Sequence, residues 1–536
     1  MSKDSYIAGF WSGHDCSYCI LKNGQPILHE EYERFIREKE PRGDSLKLLF
    51  NNVPESAEIS HFSTCYPIKV AQQYLSFDRA APFLHVIGHH QAHAANAFFS
   101  SPFDESLIFT IDGGGIETQS GLSSSFTVWS GKDNKIHELD VVPSEKINVG
   151  AVWTRCTRYI FNLQSGWPTG HQAGTVMAMA ALGDPEKYKK DFYKMLTKDL
   201  AKACYKPHDQ PAGANKNDNP VHPYLDPWVK IAQKDEQEKF DLAAGLQSAT
   251  EVFLQETLQK YIDKYKYKNL CLSGGVVLNS VFVGKIKKMF PNIENVYVTA
   301  TPHDGGLAIG SAQYVWYQIL DNKRDIDENH VTPYLGRKYS KEQVLNCLQA
   351  NDDITYTDCN DDKIVDLLNE QKIISIFHGG SESGRRALGN RSILADPRSK
   401  DMKDKVNLKV KHRQWFRPFA PSVLRQYVSD WFEDDVDSPY MSFVSTIKQE
   451  CCEKIPAVVH FDRTARLQTV TEKDNKWYYN LLSKWHDKSG TPILLNTSFN
   501  DKEPICETPE HALNCFLGTE IDFLYFADHN ILVSKK

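Results

Sequence analysis

The stretch Gly88-His89-His90-Gln91-Ala92-His93-Ala94-Ala95-Asn96-Ala97, followed soon by Leu107-Ile108-Phe109-Thr110-Ile111-Asp112-Gly113-Gly114-Gly115, constrains this chain more than any other. The first piece is alanine-rich and free of breakers, which predicts a helix. His89 and His93 are four residues apart, so both imidazoles fall on one helical face. The second piece is an apolar strand ending in Asp112 and three glycines, where the chain can turn sharply toward a ligand. Two imidazoles and a strand-end carboxylate make a divalent-metal site with open positions. Bare glycine backbone at Gly113 and Gly114 suits a phosphate. Metal-assisted handling of a phosphorylated ligand is the chemistry these residues suggest.

A chain of 536 residues is too long for one core and predicts two or three domains. Its net charge of −7 argues against a whole-chain grip on nucleic acid, leaving room for a local basic patch. Met1-Ser2-Lys3-Asp4-Ser5 lacks the basic start and apolar run of a secretory signal, and no window is apolar enough for a membrane span. The expectation is a cytoplasmic protein without membrane partners. Twelve cysteines in so long a chain are not a disulfide scaffold. Cys16-Ser17-Tyr18-Cys19 has redox spacing but lies in an apparent strand, where positions three apart face opposite sides. It reads as structural, as do the adjacent Cys451 and Cys452.

Short strands open the chain, Tyr6 to Phe10, Cys16 to Leu21 and Pro26 to Leu28, with Lys22-Asn23-Gly24-Gln25 as a hairpin turn. Gly174 to Leu182 is helical, and its Met177 and Met179 read as core. Lys206 to Pro227 is rich in Pro, Asn, Asp and Gly and reads as a long loop or lid. Phe240 to Tyr265 is helical. Asn269 to Leu272 is a strand running into Ser273-Gly274-Gly275, with a helix beginning near Asn279. Strand, glycine turn and helix start is a common way to hold a nucleotide, here by Gly274, Gly275 and Asn279. A second such unit, Val296 to Ala300, leads into Pro302-His303-Asp304-Gly305-Gly306 and makes Asp304 a second strand-end carboxylate. These features predict a two-lobed α/β fold with a nucleotide in its cleft and a domain boundary between Asn329 and Lys341.

From Arg385 to Arg417 the chain holds eleven Arg or Lys against three Asp, interleaved with Leu388, Ile393, Leu394 and Phe416. A folded basic patch in an acidic protein calls for an oligophosphate or acyl phosphate. Lys400, Lys403 and Lys405 read as a solvated helix face. Ile493 to Asn500 is a buried strand ending in polar side chains that could complete the site. The acidic Glu433-Asp434-Asp435-Asp437 reads as a solvated turn, and His61, His85 and His171 have no nameable partner.

Taken in order, these motifs resemble the NodU/CmcH-type O-carbamoyltransferases over nearly the whole chain. The match includes Gly13-His14-Asp15-x-Ser17, Glu33-Arg34-Phe35-x-Arg37, the His-x-x-x-His helix, Ile111-Asp112-Gly113-x-Gly115 and Ser273-Gly274-Gly275-Val276-x-Leu278-Asn279. It continues with Arg386-Ala387-Leu388-Gly389-Asn390-Arg391, Phe416-Arg417-Pro418-Phe419, Thr464-Ala465-Arg466-x-Gln468 and Leu495-Asn496-Thr497-Ser498-Phe499-Asn500. The resemblance implies an α/β and α+β protein. Residues 1–335 would form a TsaD-like, two-lobed domain of the actin/Hsp70/sugar-kinase type, and residues 341–536 a YrdC-like α/β domain.

It further implies a two-step, ATP-dependent enzyme. The second domain would convert carbamoyl phosphate and ATP, with Mg2+, to carbamoyl-adenylate and pyrophosphate. The first would hold that anhydride at a divalent metal, Fe(II) by resemblance, and pass the carbamoyl group to the hydroxyl of a small-molecule acceptor. Carried over, the metal ligands fall on His89, His93, Asp112 and Asp304, and the adenosine-holding turn on Gly274, Gly275 and Asn279. The carbamoyl phosphate and ATP site falls among Arg386, Arg391, Lys409, Arg413, Arg417, Arg466, Asn496 and Ser498. His14, at the first strand end, is the candidate general base, with Asp112 and Arg386 as the other catalytic candidates.

The chain departs from the family pattern at Gly380-Ser381-Glu382-Ser383-Gly384-Arg385-Arg386, where one arginine is missing and Arg385 could replace its charge. Ala173-Gly174-Thr175 and Arg413-Gln414 also depart from it. The alternatives are a threonylcarbamoyl-adenylate, tRNA-modifying type of enzyme and a non-catalytic nucleotide-binding module. The acceptor is not legible. A homodimer is left open.

Overall fold

The computed structural model describes residues 4–52, 59–65, 84–117, 121–164, 172–204, 222–326 and 331–536. They form two compact units, Met1–Glu33 with Lys39–Val331, and Arg34–Glu38 with Thr332–Lys536. His171 and most of the loop expected from Lys206 lie outside the described residues. The end of that loop runs into a helix, Asp226–Ala232.

The first unit is built on two five-stranded sheets with one shared plan. In the first, β1 (Tyr6–Trp11), β2 (Ser17–Lys22) and β3 (Gln25–Glu31) are antiparallel, and β4 (Ile59–Thr64) and β5 (Leu84–Val86) add in parallel beyond β1. The β2–β3 turn places Asn23 at φ 50° and Gly24 at φ 85°, the double left-handed geometry of a tight hairpin. The second sheet repeats this with β6 (Glu105–Ile116), β7 (Ser123–Lys132) and β8 (Lys135–Pro143) antiparallel, and β9 (Asn269–Ser273) and β10 (Asn295–Val298) parallel beyond β6. Both sheets therefore have the order 3-2-1-4-5. The unit thus repeats one mixed α/β plan, as the alternating strand and helix signals predict.

Each sheet hands a helix to the other. Helix α1 (His89–Phe99) leaves β5 of the first sheet and packs on β6, β7 and β9 of the second. After β10 of the second sheet the chain enters a helix, Leu307–Gln313, which packs on β1, β2 and β4 of the first. The two helices also pack on each other. Their approach is close enough that a Cβ on Gly310 would lie 1.9 Å from the carbonyl oxygen of Ala92. The alanines that make α1 a good helix former thus serve a second end, since small side chains let it lie between a sheet and a helix. Every residue of α1 is buried, and Ala94, Ala95, Phe98 and Phe99 join Ile108, Trp129 and Cys271 in one apolar cluster.

The second unit is a single mixed sheet of nine strands. Its centre is β11 (Ile374–Phe377), β12 (Arg391–Ala395), β14 (Ile493–Ser498) and β13 (Ala420–Leu424), paired in that order. Alternation along the strands fills a core on each face. Ile374, Ile376, Leu394 and Leu494 meet Tyr478, Leu482 and Trp485 of the helix Lys476–Ser489. Phe377, Ile393, Ile493 and Leu495 face Phe516 of the helix Pro509–Gly518 and Val406. Cys16, Cys19 and Cys451 are buried free thiols and Cys452 a half-buried one, so none forms a disulfide. Among the described residues no helix is long and apolar enough to cross a membrane.

Candidate metal centre and anion site

The first turns of α1 and of the loop before Leu307 converge on the end of β6. His89, His93, Asp112 and Asp304 are all buried, and one ligand atom from each lies within 4.8 Å of the others. Asp112 reaches this point because β6 leaves its ladder. The register shifts between Ile111 and Gly115, so the intervening residues are released from regular pairing. Gly115 is required where it stands, because a Cβ there would lie 2.2 Å from Cγ of His89.

The Oδ2 atom of Asp112 lies 3.0 Å from Nε2 of His89 and 3.4 Å from Nε2 of His93. Its Oδ1 accepts from the backbone N–H of Gly275 at 3.1 Å. Asp304 offers Oδ1 at 3.6 Å from His89 Nε2 and 3.4 Å from His93 Nε2. Nε2 of His93 is buried and makes no hydrogen bond. Its other ring nitrogen, Nδ1, is 3.2 Å from Oγ of Ser273, and that hydroxyl is 3.2 Å from the carbonyl of Pro302. With the hydroxyl donating to Pro302, it accepts from Nδ1–H, and the Nε2 lone pair is left facing the two aspartates. Neutral imidazoles and ionised carboxylates at this spacing are a donor set for a divalent cation. The four residues fit such an ion.

Without a cation the same groups hold protons. Burial opposes charge on His93, but the carboxylates of Asp112 and Asp304, each 3.4 Å from its Nε2, lift it to about 9. Burial also works against an ionised Asp112, and the two histidines reverse that and hold its carboxyl well below the usual range. His90 points elsewhere, as its position one residue off the His89 face required. Its Nδ1 lies 2.5 Å from Thr110 Oγ1 and its Nε2 2.9 Å from Ser124 O, and burial followed by the charges of His89 and His93 brings it down to about 3.

His14 lies at the rim of this group. Its Nδ1 is 2.9 Å from Asp15 Oδ2, and its Nε2 is 3.2 Å from Asp304 Oδ2. Burial lowers it, yet Asp304 and then Asp15 prevail and raise it to about 10. The structure thus places His14 beside Asp304, holding a proton between two carboxylates.

The glycine turns are arranged as strand ends, though Asn279 is already engaged. Its Oδ1 accepts from Phe282 N at 3.1 Å as a helix cap, and its Nδ2 donates to Gln247 at 2.9 Å. Gly274, at φ 99°, gives its N–H to Pro302, and a Cβ on it would strike the backbone of Ile111. Gly113 and Gly114 are exposed beside Asp112, and a Cβ on Gly113 would meet nothing within 4 Å. Glu117 carries no local sequence signal for this site. It is buried, and its Oε1 accepts the N–H of His90 at 2.7 Å in the first turn of α1.

In the second unit the residues of the basic stretch are not used alike. Arg386, Arg413, Arg417 and Arg466 come together. Burial lowers each pKa, and every further influence on the first, second and fourth comes from other arginines, with Arg385 adding to that on Arg386. Among the described residues none of the four pairs with a carboxylate. Guanidiniums gathered against their own repulsion have the charge and donors to take an anion.

Arg391 is instead fully buried and structural. Its guanidinium donates to the carbonyls of His378, Gly379 and Asn390 and lies 3.6 Å over the Phe377 ring. The sequence assigned it to the ligand because charge in a run does not reveal direction. Lys409 also stands apart, paired at 2.7 Å with Glu520 on an exposed surface. Asn496 is buried, donating to Ala387 O, Ser422 Oγ and Gln468 Oε1, and Ser498 Oγ donates to Asn500. Asn496 therefore braces the loop carrying Arg386. Glu382 does the same, its Oε1 accepting from the N–H groups of Leu388, Asn390 and Arg391. Arg34, of the early motif, donates to the carbonyls of Glu382 and Gly384 in this same unit.

Residues 64–313 match the carbamoyltransferase N-terminus and residues 365–535 the carbamoyltransferase C-terminus. The chain belongs to the carbamoyltransferase family and is a carbamoyl-transferring enzyme. Nodulation protein NolO of Bradyrhizobium diazoefficiens is 34% identical over 82% of this chain and 77% of its own. Uncharacterized protein sll1178 of Synechocystis is 33% identical over 83% and 75%, and uncharacterized protein MJ1051 of Methanocaldococcus jannaschii is 28% identical over 99% of each. Among solved structures, HypF of T. kodakarensis aligns over 60% of this chain and 49% of its own at 14% identity and a TM-score of 0.35, too slight a likeness to bear on the fold.

Proposed function

We propose that this carbamoyltransferase is ATP-dependent and acts in two steps, residues 341–536 as a YrdC-like domain that activates the carbamoyl group and residues 1–335 as a TsaD-like domain that transfers it. One water, carbamoyl phosphate and ATP would give carbamoyl-adenylate, phosphate and pyrophosphate. Carbamoyl-adenylate and an acceptor hydroxyl would then give the O-carbamoyl product and AMP. The observation that carries this reading is the pairing, in one chain of this family, of a four-arginine cluster lacking carboxylate partners with a convergent His2Asp2 set.

Arg386, Arg413, Arg417 and Arg466 would screen the repulsion between carbamoyl phosphate and the triphosphate, which ATP brings with Mg2+. Asn496 and Glu382 would keep the Arg386 loop in place. In the first domain His89, His93, Asp112 and Asp304 would hold the cation, Fe(II) by family resemblance, and a bound cation would supply charge stabilisation to the departing phosphate. Ser273 fixes the ring of His93. Gly113, Gly114, Gly274 and Gly275 offer backbone that can come close to the nucleotide. His14 would take the acceptor's proton. Once the charges of Asp304 and Asp112 were engaged by a cation, Asp15 would be left to favour the proton on His14, and the imidazole would return toward the range of a base.

The test is release of pyrophosphate from ATP on addition of carbamoyl phosphate, with a carbamoylated AMP detected by mass. His89→Ala should keep that release and lose transfer. No pyrophosphate from the intact, metal-loaded protein would refute the first step, and a His89→Ala variant unable to make adenylate would refute the division of labour.

A further inference from the structure

Between the strand Ile493–Ser498 and the helix Pro509–Gly518 the second unit contains a group of sulfur and oxygen donors, two buried thiols and a half-buried carboxylate, that the proposed reaction does not use. The carboxylate of Glu503 and the thiols of Cys506 and Cys515 each bring one atom within 4.8 Å of the other two. Cys506 is fully buried and Cys515 nearly so, and both are free thiols. The loop delivers Cys506, whose N–H is bonded to Phe499 O at 2.9 Å, and the helix delivers Cys515 one turn before its end. Ligands of a tetrahedral zinc, at about 2.0–2.3 Å from the ion, stand about 3.3–3.8 Å from one another, so the three atoms need little movement to meet one.

We propose that Glu503, Cys506 and Cys515 form a second cation site, for a thiophilic divalent ion of the zinc class, separate in its donors from the His2Asp2 set. The surrounding charges suit this. Burial works against ionised Glu503, but backbone N–H groups, Asp501 N at 3.2 Å and Lys502 N at 3.1 Å among them, hold its carboxyl below the usual range. Arg37, whose Nη2 is 3.7 Å from Glu503, and Lys411, held by the neighbouring Asn500, are cations beside the group that offset the extra negative charge of two thiolates and a carboxylate around a dication. Binding is a ligand exchange. Two S–H protons leave to solvent, two sulfur–metal bonds and one oxygen–metal bond form, and nothing is oxidised. The ion would tie the loop that carries Asn500 to the helix behind it. Asn500 accepts from the buried Nζ of Lys411 through both its carbonyl, at 2.7 Å, and its side chain. The role is structural.

The full chain, reduced, stripped with a chelator and titrated with cobalt(II) alone, should develop a near-ultraviolet sulfur-to-cobalt charge-transfer band that saturates by the second equivalent, when both cation sites are filled. Zinc(II) should abolish it. The histidine–aspartate set has no sulfur and cannot give that band. Cys506→Ser and Cys515→Ser should each remove it. Glu503→Gln, at a half-buried position, should keep the fold and weaken binding about tenfold or more. Absence of the band in the reduced wild-type chain overturns the proposal, as does its survival in both serine variants. So does a mass two hydrogens lower with both thiols blocked to alkylation, since that marks a disulfide instead.

Discussion

His93 and Ser273 are joined by a contact of 3.2 Å between Nδ1 and Oγ, and this contact decides which imidazole nitrogen is available at the centre. The hydroxyl sits on the last residue of β9 and the ring on α1, so two elements distant in sequence fix one tautomer.

Removing that hydroxyl should loosen the ring without removing a ligand. Ser273→Ala is expected to lower divalent-cation affinity by about 10–100-fold, the usual loss when a ligand's outer hydrogen bond is removed. Metal titration checks it, with pyrophosphate release unchanged. Equal affinity in the variant and the wild type would show that the ring is held by packing alone.

Gly115 should be as sensitive as a ligand. A methyl group there would lie 2.2 Å from the His89 ring, so Gly115→Ala must push the ring or the bulge aside. The expected cost is about 1–3 kcal/mol of stability together with loss of bound cation, read by thermal melts with and without metal. A variant that still binds the cation at wild-type affinity contradicts the packing described.

Much of this centre was legible in sequence because its signals are local. The i, i+4 spacing put His89 and His93 on one face, and an apolar run ending in Asp-Gly-Gly-Gly marked a strand end at Asp112. Asp304 was found the same way. Ser273 shows in sequence only as part of a glycine turn, since its meeting with His93 spans 180 residues. The same limit explains the arginines. A one-dimensional count of charge found the patch, but Arg386 gathers with other cations while Arg391 turns into the sheet and onto Phe377, a difference set by strand register. Glu503, Cys506 and Cys515 left no signal, because a spacing of nine between cysteines matches no metal motif and the site is assembled from a loop and a helix.

Arg386 and Arg391 should therefore behave in opposite ways. Arg386→Ala relieves repulsion from Arg466, Arg385 and Arg417, so the ligand-free variant should melt at or above the wild-type temperature, by about 2–4 °C for each 1 kcal/mol relieved, while pyrophosphate release is lost. Arg391→Ala strips donors from three carbonyls and should cost about 2–5 kcal/mol, with activity falling only as the fold does. Melting curves of both variants separate the roles. An Arg386→Ala protein as destabilised as Arg391→Ala would remove Arg386 from the anion site.

Proton release should accompany metal binding. In the cation-free chain His93 is raised from 6.5 to about 9, so its charged form contributes stability that is fully present below pH 6.5 and lost as pH rises through about 9. A cation needs the neutral ring, so its apparent affinity should strengthen over that same window. Calorimetry at pH 7.5 in buffers of different ionisation enthalpy should count close to one proton leaving from His93, with any further release assigned to His14, raised to about 10. Affinity that stays flat from pH 6.5 to 9 would contradict the protonation described.

The exchange of helices between the two sheets of the first unit carries a consequence for assembly. Divided between Pro143 and Val149, the first part would expose the face of β1, β2 and β4 that the helix Leu307–Gln313 covers, the second would lack the β6 that pairs with β9, and the ligands would be split, His89, His93 and Asp112 from Asp304. A chain cut between Pro143 and Val149 should yield two fragments that aggregate apart and regain structure and metal only when refolded together. The centre can thus arise only after both halves of the sequence have been made, which ties chemical competence to completed synthesis of the domain.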